Sequence, residues 1–470
     1  MRPGPDTFLK RLAIFYLPKA FSTPVKLTKP PKFNIIKKIE RLICSCISPF
    51  EGGSHLNKST TPAQKRRRLG LLPRLLIGIV AGILIGGVGG LFGIAKTAPY
   101  ISFIRFIATL TALFSTFLNF IIPLLILAFV AVGLAELGKK ANKLFGITLA
   151  LAYLSTIAAG FISFILGKAL LPSFIAHITG GVVKGTEFKV LFAVTVDPVF
   201  PIMTALVLAF VLGLAMANTN TPTMMNLMQD FKAIITKVLE GVIIPLIPYY
   251  IAGTFAKIAA SGELVPTIIM FAKLYAMILA LQWAYILVQF TAASLYNKEN
   301  RWRDLKNIMP AYFTALGTQS SAATIPVNLE SARSNGIGGD VRNFVIPLCA
   351  TIHLAGDTIC LVLGSMGILI ATGTAPTLAM YAPFIFMLGI TMVAAPGVPG
   401  GGVMAALGII KSMLGFTSGM GELIIALHLS QDSFGTACNI TGDQAIAAIV
   451  NRIDQRDRQK IPRLSEAPDA

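Results

Sequence analysis

Apolar runs too long for a water-soluble core dominate this chain. They fall at about residues 71–95, 102–135, 144–167, 190–216, 238–258, 264–296, 343–371 and 420–450. At ~1.5 Å of rise per residue, most can cross the ~30 Å hydrocarbon core of a bilayer as a helix. With 54% hydrophobic and 13% charged residues in 470, the composition is that of a multi-pass membrane protein rather than a soluble domain. The expected fold is all-α, with eight transmembrane helices.

Charge orients these spans. Lys65 to Arg68 precede the first, and Lys139, Lys140 and Lys143 follow the second. Lys298, Arg301 and Arg303 follow the sixth, and Arg452, Arg456 and Arg458 follow the eighth. By the positive-inside rule both termini lie in the cytoplasm, and the chain is placed in the cell (inner) membrane. Residues 1–70 hold 15 Lys and Arg against 3 Asp and Glu, with no run long enough to span. They read as a solvated basic extension, with anionic lipid the weaker alternative and no nucleic-acid partner assigned. The five cysteines show no metal-type or disulfide spacing.

Two segments fit no simple span. Residues 305–335 carry "GTQSSAATIPVNLESARSNG" and residues 380–415 carry "AAPGVPGGGVMAALG". Ser, Gly and Pro-rich backbone is tolerated at membrane depth only where protein or a water-filled cavity surrounds it. Each segment therefore reads as a re-entrant hairpin, one entering from each face, with tips able to meet near the midplane. Each is followed by a polar-interrupted helix, the inverted-repeat pattern of secondary transporters.

The last span, "ALHLSQDSFGTACNITGDQAIAAIVNR", carries His428, Asp432, Thr436, Asn439 and Asp443 at spacings of 4, 4, 3 and 4. At ~100° per residue they form one polar row on one helix face. A carboxylate at the bilayer centre costs at least ~2.5 kcal/mol, so such a row marks a site for cations or substrate. The preceding span holds Thr351, His353 and Asp357 around Ala355 and Gly356, where a helix can unwind and offer carbonyl oxygens to a hard cation. Amide groups near Ser320 and Ser321, and near Val398 to Gly402, suit an anionic substrate group at positive helix ends.

"GTQSSAATIPVNL", "CATIHLAGDT", "PGVPGGG" and "QDSFGTACNITGD" resemble the four signature segments of the dicarboxylate/amino acid:cation symporter family, which includes the glutamate transporters; the likeness covers about residues 70–452. The resemblance implies an elevator-type homotrimeric symporter. Residues 71–300 would form helices one to six, mainly scaffold, with helices three and six moving with the transport part. Residues 301–452 would form that transport core, and 453–470 a cytoplasmic tail. It implies substrate contacts at Ser320, Ser321, Asp357, Val398, Gly402, Asp432, Gly435, Thr436 and Asn439, with Asp432 holding the amino group. Cation contacts are implied at Tyr153, Thr156, Thr351, His353, Asn439 and Asp443. No cofactor is expected beyond sodium ions or protons as coupling ions.

Departures from the pattern narrow the expectation. His353-Leu354-Ala355-Gly356-Asp357 replaces the family's Asn-Met-Asp-Gly-Thr, which removes an amide and a carboxylate from its third cation site. Gly435 stands where acidic-substrate members carry arginine, so a neutral amino acid such as serine or threonine fits better than aspartate or glutamate. His353 and His428, each among acids, suggest proton coupling in place of part of the sodium coupling. Two alternatives remain at this stage. One is a solute-gated anion channel on the same fold. The other is an intramembrane aspartyl protease using Asp357 and Asp443.

Overall fold

The computed structural model describes residues 70–138, 143–175, 188–298, 300–395 and 399–460. Val398, Lys139, Lys140 and the basic extension through residue 69 lie outside the described residues. All regular structure among the described residues is helical. The elements are α1 (Leu71–Leu91), α2 (Ala98–Gly138), α3 (Lys143–Ile175), α4 (Ile202–Asn218), α5 (Pro222–Val238), a π turn (Leu239–Ile243) and α6 (Ile244–Ala260). Then come α7 (Leu264–Asn297), α8 (Arg301–Thr318), α9 (Ser321–Ser334), α10 (Gly339–Ile352), α11 (Ala355–Ala371), α12 (Leu378–Val393), α13 (Gly401–Leu414) and α14 (Ser418–Lys460).

Among the described residues, six helical segments are long and apolar enough to cross a membrane: Leu71–Leu91, Ala98–Glu136, Lys143–Ile175, Pro222–Ala260, Leu264–Asn297 and Gly339–Ala371. The run at 190–216 is helical only from Ile202, because Pro198 and Pro201 break its first part. The run at 238–258 starts earlier than its apolarity suggests. An amphipathic turn-by-turn pattern, with Met225, Met228 and Ile235 buried, extends it back to Pro222. The run at 343–371 is two helices, broken at His353 and Leu354, whose backbones leave the helical region.

Small residues set the closest helix contact. Gly78, Gly82 and Gly86 form one face of α1 against the backbone of Pro248, Ala252 and Ala256 on α6. A Cβ on Gly78 would stand 2.5 Å from the Pro248 carbonyl oxygen, so the stripe is what lets the two backbones touch. Tyr100 Oη donates to the Gly86 carbonyl at 2.5 Å and ties α2 to the same seam.

The pairs α8/α9 and α12/α13 approach α14 from opposite ends. At the base of the first pair, Asn335 Nδ2 donates to the Asp304 carbonyl (3.0 Å) and to Gln444 Oε1 (2.8 Å), and the Gly338 amide donates to Asn451 Oδ1. Its turn reaches Ser433, whose Oγ accepts from Gln319 Nε2 at 2.8 Å. At ~1.5 Å per residue, Ser433 lies ~27 Å along α14 from Asn451. The second pair has its base at the other end, where the Lys411 stem packs on Gly421. Its turn delivers the Gly400 amide to Asp432 Oδ2 at 2.9 Å. Both turns therefore meet α14 at Asp432 and Ser433. Lys143 pairs with Asp457, Arg456 covers the Tyr296 ring, and Arg458 pairs with Asp340. These contacts gather the N-termini of α3 and α10 and the C-termini of α7 and α14 at one end.

Candidate functional site

The row on α14 is wholly buried: His428, Asp432, Thr436, Asn439 and Asp443 are each at most 6% exposed. Buried acids require partners, and two separate constellations supply them.

The first surrounds Asp357 on α11. Its Oδ1 is 2.8 Å from His428 Nε2, and its Oδ2 accepts from Asn439 Nδ2 at 2.5 Å. Asn439 Oδ1 in turn accepts from the Gly356 amide at 2.7 Å, which satisfies a free donor at the start of α11. The approach depends on Gly356, since a Cβ there would stand 2.5 Å from the Gly435 carbonyl oxygen. Ligating atoms of Asp357, His428 and Asp432 all lie within 4.8 Å of one another. Gly402 and Gly435 face the same spot. A Cβ on Gly402 would be 3.1 Å from Asp357 Oδ1 and 3.5 Å from His428 Nε2, and one on Gly435 would be 3.6 Å from Asp357 Oδ1.

Helix starts converge here as well. Ser320 caps α9, its Oγ accepting from the Ala323 amide at 3.3 Å. Gly400, at φ +76°, precedes α13, and a side chain there would collide with Leu429. Ser320 and Ser321 are partly exposed at the first turn. Positive helix ends thus stand near carboxylates, bringing both signs of charge together.

The second constellation centres on Asp443, whose Oδ1 is 3.0 Å from His353 Nδ1. His353 Nε2 lies 3.0 Å from Ser155 Oγ and 3.3 Å from Gln289 Nε2. Tyr285 Oη donates to the Ser155 carbonyl at 2.6 Å. Asp443 Oδ2 is buried without a hydrogen-bond partner, the acceptor a bound cation would satisfy.

Some expected residues stand elsewhere. Thr351 is exposed and donates to the Leu348 carbonyl at 2.7 Å. Tyr153 Oη donates to the Phe386 carbonyl at 3.3 Å, and Thr156 donates to its own helix at Ala152. Of the "YLST" segment it is Ser155 that reaches His353. Thr436 is buried on the face of Asp432, one turn on. Gln282, Tyr285 and Gln289 join the site without standing in any of the signature segments, though their spacing of 3 and 4 inside an apolar run signals a shared helix face. Gln282 Nε2 donates to Gln431 Oε1 at 2.8 Å and to the Gly356 carbonyl at 3.1 Å. Asp357 and Asp443 do not pair with each other; each meets a different imidazole.

The model of the sodium:dicarboxylate symporter family matches residues 71–453. Among curated relatives, the serine/threonine transporter SstT of Acinetobacter baumannii (strain SDF) is 28% identical over 266 residues, covering 54% of this chain and 64% of that protein. An excitatory amino acid transporter of Caenorhabditis elegans is 24% identical over 265 residues, covering 55% and 52%. The neutral amino acid transporter B(0) of Mus musculus is 28% identical over 169 residues, covering 36% and 30%. In each case the chain spans less than two thirds of the relative's length.

Proposed function

Because the chain belongs to the sodium:dicarboxylate symporter family, we propose that it is a cation-coupled secondary-active symporter of a small neutral amino acid such as serine or threonine. The observation that carries this reading is the meeting of two oppositely directed helix-pair turns at Asp432 and Ser433, in the middle of a buried polar row. The substrate ammonium pairs with Asp432, and its carboxylate takes the amide groups at the starts of α9 and α13 near Ser320, Ser321 and Gly402. Gly435 contributes no cation for a second carboxylate, which favours neutral over acidic side chains. The name of the Acinetobacter relative, a serine/threonine transporter, supports the same class.

Asn439 and the free oxygen of Asp443 suit a sodium ion. His353 paired to Asp443 and His428 paired to Asp357 supply proton-carrying groups, so protons take part of the coupling. Asp432 accepts the Gly400 amide at the start of α13, and in this reading the α12/α13 pair serves as the gate. In this reading α8 to α14, together with α3 and α7, move as a re-entrant transport unit against the other helices of a homotrimer, with both termini in the cytoplasm.

Purified protein in sealed vesicles, given labelled serine, aspartate, succinate and cystine under separate sodium and proton gradients, tests the reading. Concentrative serine uptake under at least one gradient is expected. Absence of uptake in sodium-free buffer with an imposed pH gradient removes the proton arm, and equilibration without accumulation removes coupling altogether.

A further inference from the structure

The substrate position proposed above leaves open what the charge of Asp357 does to the substrate side chain. An ammonium on Asp432 lies beside Asp357, since the ligating atoms of Asp357, His428 and Asp432 fall within 4.8 Å of one another. A small amino acid bound there must point its side chain past Asp357 or away from it.

The helix faces decide between the two. Asp357 Oδ1 is the atom that both side-chain-free positions approach, Gly402 on α13 and Gly435 on α14. Around the Gly435 face, a Cβ would be 3.4 Å from Gln431 Nε2 and 3.6 Å from Asp357 Oδ1. Gln431 is fully buried and its Nε2 has no hydrogen-bond partner. An open donor and a carboxylate therefore both border the position where Gly435 carries no side chain. Two buried or half-buried lysines among the described residues are engaged elsewhere, Lys257 with Glu422 and Lys411 with Asn119.

We propose that Asp357 is a specificity-determining residue, an electrostatic filter that rejects substrates with a carboxylate in the side chain and accepts those whose side chain ends in a hydrogen-bond donor, hydroxyl or ammonium. A second carboxylate here meets Asp357, whose one basic neighbour among the described residues is the His428 imidazole at 2.8 Å, with neither arginine nor lysine among them to pair with the added charge. A hydroxyl donates to Asp357 and accepts from Gln431, which satisfies both groups. An ammonium pairs with Asp357 directly. His428 and Asn439 hold the carboxylate in place, at 2.8 and 2.5 Å, and act as positioning residues. The inference goes further than the missing arginine at Gly435, because it assigns an active barrier and predicts that basic side chains compete.

The inference rests on the substrate position proposed above. Its test is displacement of labelled serine from the full chain in vesicles, at fixed sodium and pH, by threonine, lysine, aspartate and alanine. In the wild type, threonine and lysine displace serine, whereas aspartate needs about 100-fold more than threonine, two tenfold steps of affinity. In Asp357→Asn, aspartate gains about tenfold relative to threonine and lysine loses about as much. Wild-type protein that binds serine and aspartate equally overturns the filter and leaves the amino-acid reading intact. Wild-type protein that binds none of the amino acids overturns the substrate position itself and the filter with it. Should Asp357→Asn not fold, Gly402→Ala is read instead: its methyl group, 3.1 Å from Asp357 Oδ1, lowers lysine and threonine affinity more than that of alanine, and equal losses for all three overturn the filter.

Discussion

Replacing Gly356 by alanine tests how closely α11 and α14 pack. The new Cβ would stand 2.5 Å from the Gly435 carbonyl oxygen and 2.8 Å from Cys438 Cβ, against a comfortable separation of ~3.5 Å. Both neighbours belong to α14, so the strain is relieved only by moving one helix away from the other. That movement stretches the 2.7 Å bond from the Gly356 amide to Asn439 and loosens the hold of Asn439 on Asp357. Overpacking of this kind costs about 1–3 kcal/mol, and a weakened buried hydrogen bond adds about 1 kcal/mol. The total is about 3 kcal/mol, and at ~2–4 °C per kcal/mol the apparent Tm in detergent falls by roughly 10 °C. Gly435→Ala is the matched control, because its Cβ meets nothing nearer than 3.4 Å. The gain in helix propensity of alanine over glycine, ~1 kcal/mol, is common to both and cancels in the comparison. Gly435→Ala, which creates no clash and gains that propensity, should melt at or up to about 4 °C above wild type, while weakening serine binding next to Asp357. Equal melting temperatures for the two variants would refute the close packing.

Three further outcomes follow from named contacts. Asp432→Ala removes the carboxylate that accepts the Gly400 amide and should abolish amino-acid uptake in vesicles with melting close to wild type; retained uptake argues for a substrate without an amino group. Lys257→Met leaves Glu422, held by Lys257 at 2.9 Å and by Thr254 at 2.7 Å, with its charge unpaired, at a cost of about 3 kcal/mol in thermal unfolding. Adding Glu422→Gln should recover most of that loss, and a double variant no better than the single one contradicts the pairing. His353→Leu strips Asp443 of its one hydrogen-bond partner among the described residues, Oδ2 already having none, and should cost about 3–5 kcal/mol by the same measurement.

Long apolar runs were legible because spanning imposes a length that composition reveals directly. The row from His428 to Asp443 was legible because helical spacing puts it on one face, and all five members are buried. Other features depend on partners distant in sequence. Nothing in "YLST" distinguishes Ser155, which bonds His353, from Thr156, which bonds its own helix. Gln282, Tyr285 and Gln289 show a periodic signal, but only packing against α3, α11 and α14 gives it meaning. The helix break falls at His353 and Leu354 rather than at Ala355 and Gly356, because Gly356 is needed for close packing on Gly435. Thr351, one residue before the end of α10, lies on the exposed side of that helix, although its neighbours Cys349, Ala350 and Ile352 are buried.

The central claim is that substrate sits where the two turns meet α14. The most direct test is a density map of the full chain in lipid nanodiscs saturated with serine and sodium. The account predicts density for the amino acid between Asp432, Gly402 and the Ser320–Ser321 turn, with its ammonium on Asp432. Serine found elsewhere, or Asp432 turned toward lipid, contradicts it.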